Sequence, residues 1–131
     1  ILMEFTKKQI ERFSRQIILK KIGIAGQKKL LKSSVLIVGA GGLGSPISIY
    51  LTALGIGKIG IIDKDKVEIS NLSRQIMFNT KDIRKYKSQV AVKKLKKINP
   101  DLKFQSYKKN LTIQNINKIA KNFDLIVDGS D

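Results

Sequence analysis

The stretch that decides the fold reads Val35-Leu-Ile-Val38, followed at once by Gly39-Ala-Gly-Gly-Leu-Gly44. The apolar run predicts a strand buried in a parallel sheet. The glycines match G-x-G-x-x-G between a strand and a helix, where Gly39 permits a tight turn, Gly41 a close approach of phosphate and Gly44 close helix–strand packing. The helix N-terminus adds free N–H groups and partial positive charge. The pattern therefore favours a nucleotide-binding loop over a tight turn that binds no ligand.

An acidic residue follows at the position that this interpretation requires. The next apolar run, Ile59-Gly-Ile-Ile-Asp63, ends in a carboxylate 19 residues after Gly44. A carboxylate there suits hydrogen bonds from ribose hydroxyls. Asp65, two residues later, fits either the same site or a solvated loop.

Strands that alternate with helices through short connections predict an α/β fold with a doubly wound, Rossmann-like, mostly parallel sheet. We expect an N-terminal helical segment over 1–33 and a nucleotide-binding domain over 34–131. Because the chain ends three residues after the fourth strand, we also expect a part of a longer protein. The predicted strands are 34–38, 58–63, 103–108 and 124–128. The predicted helices are 7–21, one from the glycine loop to Gly55, 86–98 and 113–121. Gly23 and Gly26 are expected to break the chain before a short turn that runs to Lys32.

The composition limits the chemistry that is available. The 131 residues contain no Cys and no His, which excludes a thiol nucleophile and thiolate or imidazole zinc ligands within them.

No apolar run is long enough for a membrane span and no targeting segment is recognisable, so we expect a cytoplasmic protein without a membrane partner. The net charge of +16 fits a lysine-biased composition better than a nucleic-acid surface, because no aromatic residues are interleaved with the Lys clusters. All but four of the 26 cations are Lys, the exceptions being Arg12, Arg15, Arg74 and Arg84.

The polar run Ser70-Asn-Leu-Ser-Arg-Gln75 does not fit an ordinary dehydrogenase. A triphosphate carries more charge than a diphosphate, so its site calls for Arg, Lys and a metal. Arg74 and Lys87 are candidates for the phosphates, although Lys87 could be one more solvated Lys. Asp131 could hold Mg²⁺ through a carboxylate oxygen or could cap a helix.

Several short motifs follow one another along the chain: Arg12-Phe-Ser-Arg-Gln16, the glycine loop, Asp63-Lys-Asp65, Asn71-Leu-Ser-Arg-Gln75, Lys87-Ser-Gln89, Asn99-Pro100 and Asp128-Gly-Ser-Asp131. Taken in this order, they resemble the ThiF/MoeB adenylyltransferases, bacterial relatives of the ubiquitin-activating enzymes. The stretch Phe78-Asn-Thr-Lys-Asp-Ile83 with Lys87-Ser-Gln-Val90 favours ThiF, which serves thiamine biosynthesis, over MoeB, which serves molybdopterin.

The resemblance implies a function and a partner. Such enzymes activate the C-terminal Gly-Gly carboxylate of a small ubiquitin-like sulfur carrier (ThiS- or MoaD-like) as an acyl-adenylate, with ATP and Mg²⁺. It also implies a homodimer, in which Arg15 reaches into the neighbouring subunit's site. The family's zinc-binding cysteines belong to a later part that is absent from this sequence.

The resemblance also assigns roles to individual residues. Asp63 is expected to hold the ribose and Asp131 to bind Mg²⁺, and the catalytic set is Arg15, Arg74, Lys87 and Asp131. The expected nucleotide-binding residues are Gly39, Gly41, Gly42, Gly44, Asp63, Ser70, Asn71, Leu72, Ser73, Arg74 and Lys87.

Three alternatives remain open. One is a related dehydratase that activates a modified tRNA base, which would suit the positive charge. The second is a non-catalytic partner subunit of a heterodimeric activating enzyme, which the joint presence of Arg15, Arg74, Lys87 and Asp131 disfavours. The third is a plain NAD-dependent dehydrogenase.

Overall fold

The fold is built on a parallel four-stranded sheet with the order β3-β2-β1-β4. A computed structural model describes residues 4–131. Every strand pair is parallel, with Ile37 of β1 beside Ile61 of β2 and Val127 of β4. The strands are β1 Ser34–Val38, β2 Lys58–Ile62, β3 Lys103–Tyr107 and β4 Leu125–Asp128; the helices are α1 Lys7–Arg12, α2 Ser14–Ile17, α3 Gly23–Lys32, α4 Gly44–Leu54, α5 Lys87–Ile98 and α6 Ile116–Ala120.

Both faces of the sheet are covered, as the predicted doubly wound fold requires. Side chains alternate along β1, so that Ile37 faces one cluster and Leu36 the other. The larger cluster packs under α4 and α5, and the smaller one packs under α6 through Ile119. The predicted strands are confirmed to within one residue at each end.

The N-terminal helix is not continuous, contrary to the expectation for residues 7–21. The predicted capping box is present, since Thr6 and Gln9 exchange side-chain and backbone hydrogen bonds. The first helix nevertheless ends at Arg12, because Phe13 leaves the helical conformation at φ −100° and ψ 10°. Phe13 is 1% exposed and lies beneath Gly55. Burial of this ring therefore replaces one long helix with the short pair α1 and α2.

Gly23–Lys32 form a helix, so the predicted break at Gly26 and the turn predicted from there to Lys32 are wrong. In α3, Gln27 is fully buried and Leu30 packs against the large core cluster, one helical turn apart. Lys29 and Lys32 complete its last turn, where cations favour the helix dipole. This packing outweighs the low helix propensity of Gly26. The proposed division at residue 33 stays a prediction, and the first three residues of the helical segment lie outside the described ones.

Two further helices differ in detail from the sequence prediction. α6 covers Ile116–Ala120 only, because Thr112 and Asn115 form hydrogen-bonded turns ahead of it. In α4, the buried face consists of glycine and small polar residues, whereas Leu43 and Tyr50 are exposed. Within residues 4–131, no helix combines the length and the hydropathy that crossing a bilayer would take.

Candidate functional site

The candidate site is a cavity of about 210 Å³ at the carboxyl ends of the strands. From β1 the chain proceeds outward through β2 and β3 and then returns to the other side of β1 with β4. The cavity lies at this reversal of strand order, where ligands bind in open α/β sheets. It is lined by Val38, Gly39, Gly41, Ile62, Asp63, Asp65, Gln75, Lys87, Asn110, Leu111, Gly129, Ser130 and Asp131.

The glycine loop forms the bottom of this cavity. Gly39 has a φ of +91°, a conformation that glycine adopts without steric cost. A Cβ atom at Gly44 would lie 1.8 Å from the carbonyl oxygen of Gly39, so a side chain there would collide with the loop itself. The backbone N–H groups of Gly41 and Gly42 donate to no acceptor among residues 4–131. Free N–H groups at the start of a helix are the kind of donors that bind anions in proteins.

Asp63 joins the second strand to the glycine loop. One carboxylate oxygen accepts the N–H of Ala40 at 2.9 Å and the other accepts the N–H of Asp65 at 2.8 Å. Each oxygen retains a further lone pair, so the carboxylate can also accept hydroxyl groups from a ligand in the cavity. Asp63 thus holds the loop in place while it lines the site.

Lys87 is brought to the cavity by pairing between two backbone segments. Val67 donates its N–H to the carbonyl of Lys85, and Lys87 donates its N–H to the carbonyl of Asp65. The side chain of Lys87 then lies at the first turn of α5 and is only 7% exposed. Its ammonium group makes no hydrogen bond or ion pair with any of residues 4–131. A nearly buried cation without a partner favours an anion in the cavity beside it.

A second cavity of about 230 Å³ adjoins the first, since Asp65 and Lys87 line both. Asn71 lines the second cavity and is 9% exposed. Its side-chain oxygen accepts the N–H of Glu68 at 2.8 Å, which fixes the start of the polar run. The two adjoining cavities together can therefore hold a longer ligand than the cavity at the glycine loop alone.

Arg74 lies over the glycine loop and lines neither of the two cavities. Its Cγ atom is 4.0 Å from the point where a Cβ of Gly42 would stand, and its guanidinium donates to the carbonyl of Ser70 at 3.2 Å. The remaining guanidinium N–H groups are exposed. Ser70 and Ser73 are exposed and do not line either cavity, and Leu72 packs against the large core cluster.

Asp131 lines the cavity opposite the glycine loop. A Cβ at Gly129 would lie 3.0 Å from the Gly44 nitrogen, so the segment after β4 packs directly on the loop. Asp128 accepts two hydrogen bonds from Ser130, which lower the pKa of its carboxyl below the ordinary 3.8. These bonds shape the turn that leads to Asp131.

The carboxylates of Asp65 and Asp131 suit a divalent cation that is bound partly by the protein and partly by phosphate oxygens of a ligand. Asp131 and Asp65 line one cavity and carry oxygen donors, the type of ligand that Mg²⁺ prefers. Across residues 4–131, no group of three or more His, Cys, Asp or Glu is placed to hold a metal unaided. One or two carboxylates with substrate phosphates are a common arrangement for Mg²⁺.

Arg15 lies away from this cavity, on the segment that packs against the far ends of α4 and α5. Arg12 donates to the carbonyl of Ile98 at 2.8 Å, and Gln16 donates to the carbonyl of Leu54 at 2.8 Å. Arg15 stands between these two anchors, is exposed, and makes no hydrogen bond with its side chain inside residues 4–131. Arg12 therefore has a structural contact, whereas Arg15 is available to another molecule.

Asn110 and Leu111 of the first cavity belong to no motif of the sequence prediction, and Gln75 enters it only as the end of the polar run, without a role in the site. Gln75 is 4% exposed and its side-chain oxygen is buried without a partner in residues 4–131. Asn110 and Leu111 follow β3 and line the same cavity. The rule that ligands bind at the carboxyl ends of strands could have identified Asn110 and Leu111, because they follow the third strand directly.

Comparison with known proteins is consistent with this geometry. The ThiF family model matches residues 13–131. The chain is 43% identical over 129 residues to a sulfur carrier protein adenylyltransferase of Thermus thermophilus, covering 98% of this chain and 48% of the relative. It is 43% identical over 120 residues to the sulfur carrier protein ThiS adenylyltransferase of Escherichia coli, covering 92% of this chain and 48% of the relative. The chain thus spans about half the length of these relatives.

Solved structures agree in fold. The structure of Escherichia coli MccB with ATP gives a TM-score of 0.80 at 31% identity, covering 92% of this chain and 37% of that chain. The Escherichia coli tRNA N6-threonylcarbamoyladenosine dehydratase with ATP gives a TM-score of 0.89 at 24% identity, covering 98% of this chain and 53% of that chain. At that identity the dehydratase shares the fold alone. The chain belongs to the ThiF family.

Proposed function

We propose that this ThiF-family chain provides the nucleotide site of an adenylyltransferase that activates the C-terminal carboxylate of a small ubiquitin-like sulfur carrier protein. The observation that carries the proposal is Lys87, a nearly buried ammonium group that faces the cavity without a partner in residues 4–131. An anion is the ligand that such a group requires. The names of the relatives at 43% identity supply the carrier as the substrate.

In this proposal the glycine loop receives the phosphates of ATP. The free N–H groups of Gly41 and Gly42 and the first turn of α4 would donate to phosphate oxygens. Lys87 would neutralise charge from one side and Arg74 from the rim above Gly42. Asp63 would accept the ribose hydroxyls while it keeps its two backbone bonds.

The proposed reaction is a displacement at the α-phosphorus. A carboxylate oxygen of the carrier's terminal glycine forms a bond to phosphorus, the bond to the bridging oxygen breaks, and pyrophosphate leaves with that electron pair. No side-chain nucleophile is needed, because alignment and charge neutralisation lower the barrier. Mg²⁺, held by Asp131 and the phosphates, would supply further neutralisation when bound.

The proposal includes a homodimer and a cytoplasmic setting. Exposed apolar side chains occur at Leu43, just before α4, at Tyr50 within α4, and after α2 at Ile18 and Leu19. Such surfaces favour a partner subunit. Arg15 lies near Ile18 and Leu19, makes no side-chain hydrogen bond or ion pair within residues 4–131, and would complete the neighbouring site as the family resemblance implies. The cytoplasmic setting remains a prediction from the sequence.

The test is ATP–pyrophosphate exchange by the full-length protein. We expect exchange only when a carrier that ends in Gly-Gly is present, with the same carrier lacking that dipeptide as the control. Exchange driven by tRNA would contradict the proposal in favour of a dehydratase. Absence of exchange with every carrier would contradict it in favour of a non-catalytic subunit.

A further inference from the structure

A second concave surface, unrelated to the nucleotide cavity, runs along α5. This groove has a volume of about 510 Å³ and lies between α5 and the segment 79–86. It shares no lining residue with the nucleotide cavity. Its wall carries five lysines, Lys81, Lys85, Lys93, Lys94 and Lys97, and a single carboxylate, Asp82.

The carboxylate in the groove is already neutralised. Lys94 donates hydrogen bonds to the carboxylate of Asp82 and to the carbonyl of Met77. The contact between Lys94 and Asp82 is the sole ion pair within residues 4–131. The other four lysines have no carboxylate within bonding distance in that part of the chain. The groove is therefore a concentrated positive field with exposed ammonium groups, which attracts anionic partners.

The spacing of these charges fits an extended peptide. Lys93 and Lys97 are one helical turn apart on α5, with Cβ atoms separated by about 6 Å. Alternate side chains of an extended strand are separated by about 6 to 7 Å and point to the same side. From Tyr86 to Lys97 the helix rises about 16 Å, the length of about five extended residues. Carboxylates at alternate positions of a bound strand could therefore meet successive lysines.

The rest of the groove favours a peptide over a nucleic acid. The half-buried ring of Tyr86 and the 8% of Val90 that is exposed add apolar surface between the lysines, which suits the apolar residues that alternate with acidic ones in a peptide. Single-stranded nucleic acid instead needs aromatic faces on which bases stack. Tyr86 is the single aromatic residue of the groove, and the ammonium groups of Lys66 and Lys108 lie 5.0 Å and 4.7 Å from its ring centroid.

We propose that this lysine groove docks an acidic, extended segment of a partner protein. The docking goes beyond the proposed adenylyl transfer and requires neither ATP nor turnover. Lys85 and Tyr86 of the groove directly precede Lys87, so one end of the groove lies near the residue to which the proposed function assigns the phosphates. The groove could in this way hold a partner while its reacting end enters the cavity.

The test uses the full-length protein and a fluorescein-labelled peptide of alternating glutamate and valine. Fluorescence anisotropy should detect binding at moderate salt, and the matching peptide of glutamine and valine should not bind. The double substitution Lys93→Glu with Lys97→Glu should weaken binding at least about tenfold. The control, Lys118→Glu with Lys121→Glu on the other side of the sheet, removes the same charge and should weaken it less than about twofold.

A photo-crosslinking residue in place of the exposed Gln89 gives a second readout that leaves every lysine intact. It should capture the labelled peptide, whereas the same residue in place of Gln114 should not. Equal weakening by both double variants would overturn the proposal, since the attraction would then be general to a cationic protein. Groove-dependent binding of a single-stranded oligonucleotide with no peptide binding would also overturn it, as would no binding of the peptide.

Discussion

The guanidinium of Arg12 donates a 2.8 Å hydrogen bond to the carbonyl oxygen of Ile98, the last residue of α5. This bond joins residues 86 positions apart in the chain and places a cation at the negative end of the helix dipole. It ties the N-terminal segment to the nucleotide-binding sheet.

Replacement of Arg12 by Met should therefore reduce stability. We expect the free energy of unfolding to fall by about 1 to 2 kcal/mol, because a charge-assisted hydrogen bond and a favourable dipole contact are lost. Urea denaturation measures this. Arg15→Met is the matched control, since the Arg15 side chain makes no hydrogen bond or ion pair within residues 4–131, and an equal loss there would contradict the assignment.

The proposed exchange of Arg15 between subunits can be tested by mixing two inactive variants of the full-length protein. Arg15→Ala and Arg74→Ala should each abolish ATP–pyrophosphate exchange with the fold intact. After the two are unfolded and refolded together, mixed dimers should contain one complete site, and about a quarter of wild-type activity should return. If Arg15 serves its own subunit, no mixed dimer has a complete site and no activity returns.

The glycine loop should tolerate a methyl group at one position and reject it at another. Gly44→Ala places a Cβ 1.8 Å from the Gly39 carbonyl and should cost about 3 kcal/mol or more, with loss of nucleotide binding. Gly42→Ala meets only Arg74, at 4.0 Å, and should cost less than about 1 kcal/mol. Thermal melts and ATP titration of both variants check this. Similar melting temperatures for the two would refute the geometry.

Lys87→Met should lower the exchange activity without lowering the stability of the fold. Removal of a nearly buried, unpartnered cation should leave the free energy of unfolding unchanged or raise it by about 1 kcal/mol. Exchange activity should fall at least about 100-fold, because the phosphate charge loses a close partner. Lys96→Met, on an exposed position of the same helix, should change neither quantity. A clear loss of stability in Lys87→Met would indicate a structural role instead.

The Asp82–Lys94 pair should make stability depend on pH. Burial alone would raise the pKa of Asp82, but the hydrogen bonds from Lys94 and the N–H of Asn79, with the charges of Lys94 and Lys85, lower it below 3.8. The charged carboxylate therefore stabilises the fold above the unfolded-state pKa, and the contribution disappears as pH falls through the folded-state value.

We expect Asp82→Asn to reduce the free energy of unfolding by about 1 to 2 kcal/mol at pH 7. The difference from the wild type should stay constant above about pH 5 and shrink below about pH 4. Urea titrations of both proteins across this range provide the measurement. A difference that grows on acidification would contradict the lowered pKa.

The elements that the sequence predicted well are those whose causes are local. A buried strand, a turn that only glycine can make and a helix that starts beside it are all specified within Val35–Leu54. Phe13 shows the opposite case. Its ring leaves the helical pattern because Gly55, far along the chain, offers a space for it. Helical spacing around Phe13 gives no sign of that contact.

The site was predictable in part for the same reason. Motif positions such as Gly39, Gly41, Asp63 and Asp131 meet in one cavity because strand ends meet at one edge of a parallel sheet. The burial of Lys87 depends on pairing of segment 65–67 with 84–87, which no spacing in the sequence reports. In a chain so rich in lysine, Lys87 became distinctive only through the family resemblance.

The contact between Gly44 and Gly129 has a consequence for how this cavity could change in evolution or by design. The bottom of the cavity consists of main chain packed on main chain. A Cβ on Gly129 would lie 3.0 Å from the nitrogen of Gly44, and a Cβ on Gly44 would lie 1.8 Å from the carbonyl oxygen of Gly39. The bottom of the cavity presents backbone amide groups, which a side-chain substitution does not replace. A change in preference among nucleotides must then come from the sides of the cavity. Gln75, Asn110 and Leu111 lie there, and their side chains can be exchanged without disturbing the backbone at the bottom.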